Sequence, residues 1–183
     1  MSCRAQTYRR AGRAALLGML TWLGLLYPSS AQDIDYQSQS LFIYKFAKYI
    51  SWPESSVQGD FVIGVYGNSP VLGELEKMAS LKKAGGGQRI VVRQINSTEE
   101  IGRVHLLYVA ASKSRELKDI AARVNSKPTL VVAEREGLAR KGACINFIIL
   151  ENNTLRFEIN PNELKNHGLR IPPELLKIGF AVG

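Results

Sequence analysis

The stretch LFIYKFAKYISWP, residues 41–53, sets Phe42, Phe46 and Tyr49 at i, i+4 and i+7, with Ile43, Ala47 and Ile50 on the adjoining face. Lys45 and Lys48 fall outside that stripe. Such spacing predicts a helix packed on a sheet. Trp52 directly precedes Pro53, which biases it out of the α region and places its ring where the chain leaves the helix.

From residue 60 onward short apolar runs alternate with helical spacing. FVIGVYG (61–67), RIVVRQI (89–95), VHLLYVA (104–110) and PTLVVAE (128–134) read as strands, and their alternation with helices argues for a mainly parallel sheet covered on both faces. Between them, Pro70 suits the first turn of a helix reaching about residue 83, and Gly85, Gly86 and Gly87 end it. Ser112 is placed to cap a helix that carries Leu117, Ile120, Ala121 and Val124 on one face. Short helical turns are predicted at 97–102 and 137–141.

The rhythm changes in CINFIILENNTLRFEIN (144–160), where Glu151, Asn152 and Asn153 join two alternating runs as a hairpin. A short helix over 161–167 with Gly168 at its end, and a last helix opened by Pro172 or Pro173, complete the pattern. The prediction is one α/β domain. It is a three-layer α/β/α sandwich, with a mainly parallel sheet and a C-terminal antiparallel hairpin that closes one edge.

Residues 1–31 read differently. Four arginines, Arg4, Arg9, Arg10 and Arg13, precede an apolar run over 14–27, followed by Pro28 and small residues up to Ala31. That order predicts a secretory signal peptide over 1–31, a domain over 32–183 and a periplasmic location. The run is shorter than the roughly 20 residues a membrane span needs. Without the leader the formal charge of +8 falls to +4, and the remaining lysines are scattered among acids. This excludes the basic stripe expected of nucleic-acid binding. Cys3 also leaves with the leader, so Cys144 is expected to stand alone as a buried thiol in an apolar run.

Catalytic chemistry finds little support. His105 and His167 lack the three or four ligands at set spacings of a zinc site, so no metal or other cofactor is expected. The three glycines follow a helix instead of a strand, unlike a phosphate-binding loop. Ser112 and Ser114 lie in no nucleophile elbow. Glu134 and Glu136 flank the rim of the fourth strand, where open sheets bind ligands, but two acids alone make no acid-base site.

In order and spacing, KYISWP, FVIGVYGNSP, VHLLYVAASKS, PTLVVAEREGLARKGACINFII and LRFEINPNELKNHGLRIPPELLKI resemble the YfiR-like family of secreted bacterial regulators. The resemblance covers nearly all of the chain after residue 34. It implies a small periplasmic α/β domain, often dimeric and not an enzyme, that represses the periplasmic part of an inner-membrane diguanylate cyclase. An outer-membrane lipoprotein sequesters such repressors, and envelope stress is thereby coupled to cyclic di-GMP and biofilm formation. Other members look like input modules for histidine kinases. Family members often carry a cysteine where this chain has Val104, beside His105, so redox control through disulfides is not carried over.

Two partner-binding surfaces are expected. Tyr49 and Trp52 form one at the helix exit, because amphipathic aromatics are enriched in interfaces. The other is polar: Asn146 with Arg156, Glu158 and Asn160, which alternate with apolar Leu155, Phe157 and Ile159. The alternative function is a periplasmic small-molecule-binding module using the rim crevice near Gly67, Asn68, Ser69, Ala110, Ala111 and Ser112.

Overall fold

Strands whose side chains are buried on both faces set the layout. The computed structural model describes residues 34–183; the leader read over 1–31 lies outside the described residues. β1 (Phe61–Tyr66), β3 (Leu106–Val109) and β4 (Leu130–Ala133) are buried along their whole length, as parallel strands under two helical layers must be. With β2 (Ile90–Ile95), β5 (Ile145–Ile149), β6 (Leu155–Ile159) and β7 (Phe180–Ala181) they form one sheet in the order β2-β1-β3-β4-β5-β6-β7. β1 through β5 are mutually parallel, β6 runs antiparallel to β5, and β7 is parallel to β6.

Register decides which side chains share a face. Val65 lies beside Tyr108, and Tyr66 beside Val109, so Tyr66 and Tyr108 point to opposite sides of the sheet. On the Tyr108 side lies α1 (Tyr36–Tyr49). Its Phe42 and Phe46 each meet the Phe157 ring edge-on at 5.2 Å, and Phe46 stacks on Phe147 at 6.2 Å. α2 (Val71–Leu81) packs beside α1 on this layer. On the Tyr66 side, the phenol hydroxyl donates to the Glu116 carboxylate just before α3 (Leu117–Val124), which buries Leu117, Ile120 and Val124. The predicted three-layer architecture is the observed one.

Several local expectations change. α1 begins at Tyr36, where the Asp35 carboxylate accepts the Ser38 N–H at 2.9 Å. Tyr49, read as part of the apolar stripe, is about half exposed, at 52%. Ser112 caps no helix: residues 111–116 form a tighter 3₁₀ turn, and α3 starts after it with no side-chain cap. After α4 (Pro161–Asn166) and α5 (Pro173–Ile178), the chain adds β7 outside the hairpin. The hairpin is therefore interior to the sheet, and a two-residue strand forms the edge. Two residues of apolar tail carry no period, which is why the pattern of positions does not reveal it.

Candidate functional site

β5, β6 and β7 lay a row of side chains across the Tyr66 side of the sheet. Asn146 stands opposite Glu158, and Glu158 beside Phe180. Directly paired residues point to one face. Asn146 is fully buried and donates through Nδ2 to the Glu158 carboxylate at 2.9 Å, while its Oδ1 is buried with no hydrogen-bond partner. Arg156 and Phe180 are exposed, and Glu158 is half-buried. Leu176 and Ile178 of α5, the helix that precedes β7, are exposed as well. Exposed large apolar groups beside an unpaired strand edge are the usual makings of an interaction surface. Of the polar residues expected here, Arg156 is exposed and Glu158 half-buried, whereas Asn146 is buried; the exposed Phe180 is not among them.

Asn160, grouped with those residues by alternation, is buried and committed to the fold. Its Oδ1 accepts the Asn162 and Glu163 N–H groups at 3.0 and 3.2 Å, and its Nδ2 donates to the Ala139 carbonyl at 2.8 Å. It caps α4 and pins the β4–β5 connection.

Tyr49 and Trp52 lie elsewhere, at the exit of α1. Ser51 pairs with Arg170, and Trp52 sets its ring edge-on to Phe61 at 5.0 Å. Phe61 in turn stacks on His105 at 4.8 Å. Trp52 is therefore partly buried, with its Nε1 enclosed and lacking a hydrogen-bond acceptor, whereas Tyr49 is open and has Lys48 Nζ 5.3 Å from its ring centre. The six expected residues do not form one site.

His105 and Cys144 are committed to the fold. His105 Nδ1 accepts the Val62 N–H at 3.0 Å and its Nε2–H donates to the Ser56 carbonyl at 2.8 Å, which fixes a neutral tautomer. Burial holds its pKa below the ordinary value. Cys144 is free and buried, and burial pushes its thiol up to about 12. Among the described residues no group of His, Cys, Asp and Glu could hold a metal ion, and no helix is long and apolar enough to cross a membrane.

A sequence profile of YfiR/HmsC-like proteins matches residues 36–179, which is most of the chain. The chain belongs to the YfiR/HmsC-like family. That membership is consistent with a periplasmic regulatory role and agrees with the pattern read from the sequence segments. No curated protein matches the chain in sequence. Among solved structures, "the ABC domain in complex with L-Trp from Streptococcus pneumonia" superposes with a TM-score of 0.53 at 14% identity. The likeness covers 81% of this chain and 60% of that one, and it concerns the fold alone.

Proposed function

We propose that this YfiR/HmsC-like protein is an exported, non-enzymatic regulator. It binds and represses the periplasmic sensor part of an inner-membrane signalling protein, a diguanylate cyclase or a histidine kinase. The signal peptide over 1–31 directs it to the periplasm and is removed there, and the mature protein links the state of the envelope to cyclic di-GMP signalling and biofilm formation. It acts as a homodimer, and an outer-membrane lipoprotein relieves the repression.

The observation that supports a binding role is the C-terminal sheet edge, where Phe180 stays exposed beside Glu158, with Arg156 exposed two residues earlier on the same strand. Covering a large apolar side chain contributes roughly 1.5–3 kcal/mol, and the neighbouring charges give the partner a register.

The test is photo-crosslinking in the native envelope with a reactive residue in place of Phe180, Tyr49 or Trp52, and in place of exposed Glu76 on α2 as control. Capture of the periplasmic segment of a diguanylate cyclase or histidine kinase from position 180, and not from 76, is the expected result. Equal capture from both, or none from 180 while a known envelope pair crosslinks, would remove the sheet edge as the contact. Crosslinking to a second copy reports the dimer.

A second reading, a small-molecule-binding module, is favoured by one observation. Polar side chains converge at the rim where the strand order reverses between β1 and β3, the position at which open α/β sheets take ligands.

A further inference from the structure

At that rim, Ser69 follows β1, Tyr108 lies in β3, Glu134 follows β4, and Tyr36 and Gln39 sit on the first turn of α1. Gln39, Ser69 and Tyr108 are buried. The Tyr108 hydroxyl lies between two acceptors, Gln39 Oε1 at 2.7 Å and the Glu134 carboxylate, and its one proton serves only one of them at a time. Ser69 Oγ accepts the Val71 N–H at 3.3 Å. Glu134 takes the Ala111 N–H on Oε1 at 2.9 Å, but its Oε2 is buried and has no hydrogen-bond partner.

Nor does any described cation neutralise it. The ion pairs of the described residues are Lys77 with Glu74, Arg89 with Asp60, and Lys113 with Glu116. Burial, reinforced by the Glu134 charge, raises the pKa of both Tyr36 and Tyr108, so the carboxylate faces two neutral phenols. Enclosed carboxylate oxygens are costly unless matched by a donor, and the match is strongest when that donor is itself charged.

We propose that the rim of β1, β3 and β4 is a site for a small aliphatic ammonium compound, bound through Glu134 with Tyr36, Ser69 and Tyr108 around it. The ligand supplies N–H donors and one positive charge to a group that offers a negative charge and spare acceptors. A neutral polyol of the same length supplies donors without the charge and binds far less well. The proposal rests on the rim reading and not on the partner surface, so it is tested on the protein alone.

The experiment is thermal unfolding and isothermal titration of protein purified from periplasmic extract, with putrescine as probe, 1,4-butanediol as its uncharged counterpart and propylamine as the shorter amine. At a hundredfold excess over Kd, an amine is expected to raise Tm by about 5–10 °C. The diol should leave it unchanged, Glu134→Gln should abolish the shift, and Glu136→Gln, at an exposed neighbour, should retain it. Glu134→Gln removes a charge without changing shape, so its unliganded Tm and circular dichroism report whether it folds. Equal response to the diol, a shift that survives in Glu134→Gln, or no response to either amine would overturn the proposal. If Glu134→Gln fails to fold, Ser69→Ala is the substitute, with an expected weakening of amine binding of about tenfold and unchanged binding counting against the site.

Discussion

Val62 and His105 are joined twice: the His105 N–H donates to the Val62 carbonyl at 2.9 Å, and the Val62 N–H donates back to His105 Nδ1 at 3.0 Å. An imidazole thus takes the place of a backbone acceptor where β1 and β3 begin, and only its neutral form can do so. Because burial depresses the His105 pKa, the unfolded chain binds more protons than the folded one below the ordinary value of about 6.5. Stability therefore falls as pH drops below 6.5 and is level above it. Urea unfolding between pH 5 and 7.5 should show this slope in the native protein. His105→Asn should lose about 1–3 kcal/mol at pH 7.5 but show a shallower slope. Equal slopes would assign the dependence to other groups.

Cys144 should ignore thiol reagents in the folded protein. Its thiol is buried and its pKa pushed up to about 12, so little thiolate forms at neutral pH. Peptide mapping after iodoacetamide treatment should find Cys144 unlabelled in buffer and fully labelled in denaturant. Labelling in buffer would mean that the strand end opens readily.

Asn160→Ala should destabilise the domain by about 2–3 kcal/mol, from the lost α4 cap and the orphaned Ala139 carbonyl. The folded fraction should still crosslink from position 180 as the parent does. A stable variant with lost partner capture would instead make Asn160 a contact residue.

Gly179 and Gly73 make a contrasting pair. A Cβ on Gly179 would lie 2.6 Å from Ile159 Cδ1 and from Phe157 Cε2, whereas one on Gly73 meets nothing within 4 Å. Gly179→Ala should cost about 1–3 kcal/mol and speed amide exchange at Val182, whose N–H donates to Ile159. Gly73→Ala, inside α2, should stabilise by about 0.5–1 kcal/mol. Unchanged Val182 exchange in Gly179→Ala would indicate that the Phe157 ring moves aside freely.

The sequence yields what burial makes periodic. The runs of β1, β3 and β4 are apolar throughout because both faces are covered, and 61–67, 104–110 and 128–134 are legible for that reason. Alternation along β6 groups Asn160 with a strand face, although Pro161 next to it and Glu163 three residues on are the signal of a helix cap. Glu134 shows a different limit. It reads as a rim acid, but its unpaired oxygen depends on α1, β3 and the turn at Ala111, which are distant in the chain. β7 escapes because so short a strand has no pattern, and with it goes the exposed Phe180.

The aromatic contacts of α1 also constrain when the protein can fold. Phe42 and Phe46 belong to the first element made, and the Phe147 and Phe157 rings they rest on belong to a hairpin made near the end. While the chain is being synthesised, that stripe has none of these rings to rest on until the hairpin has emerged. This part of the core therefore closes only when the hairpin is available, which makes the docking of α1 a late, long-range step.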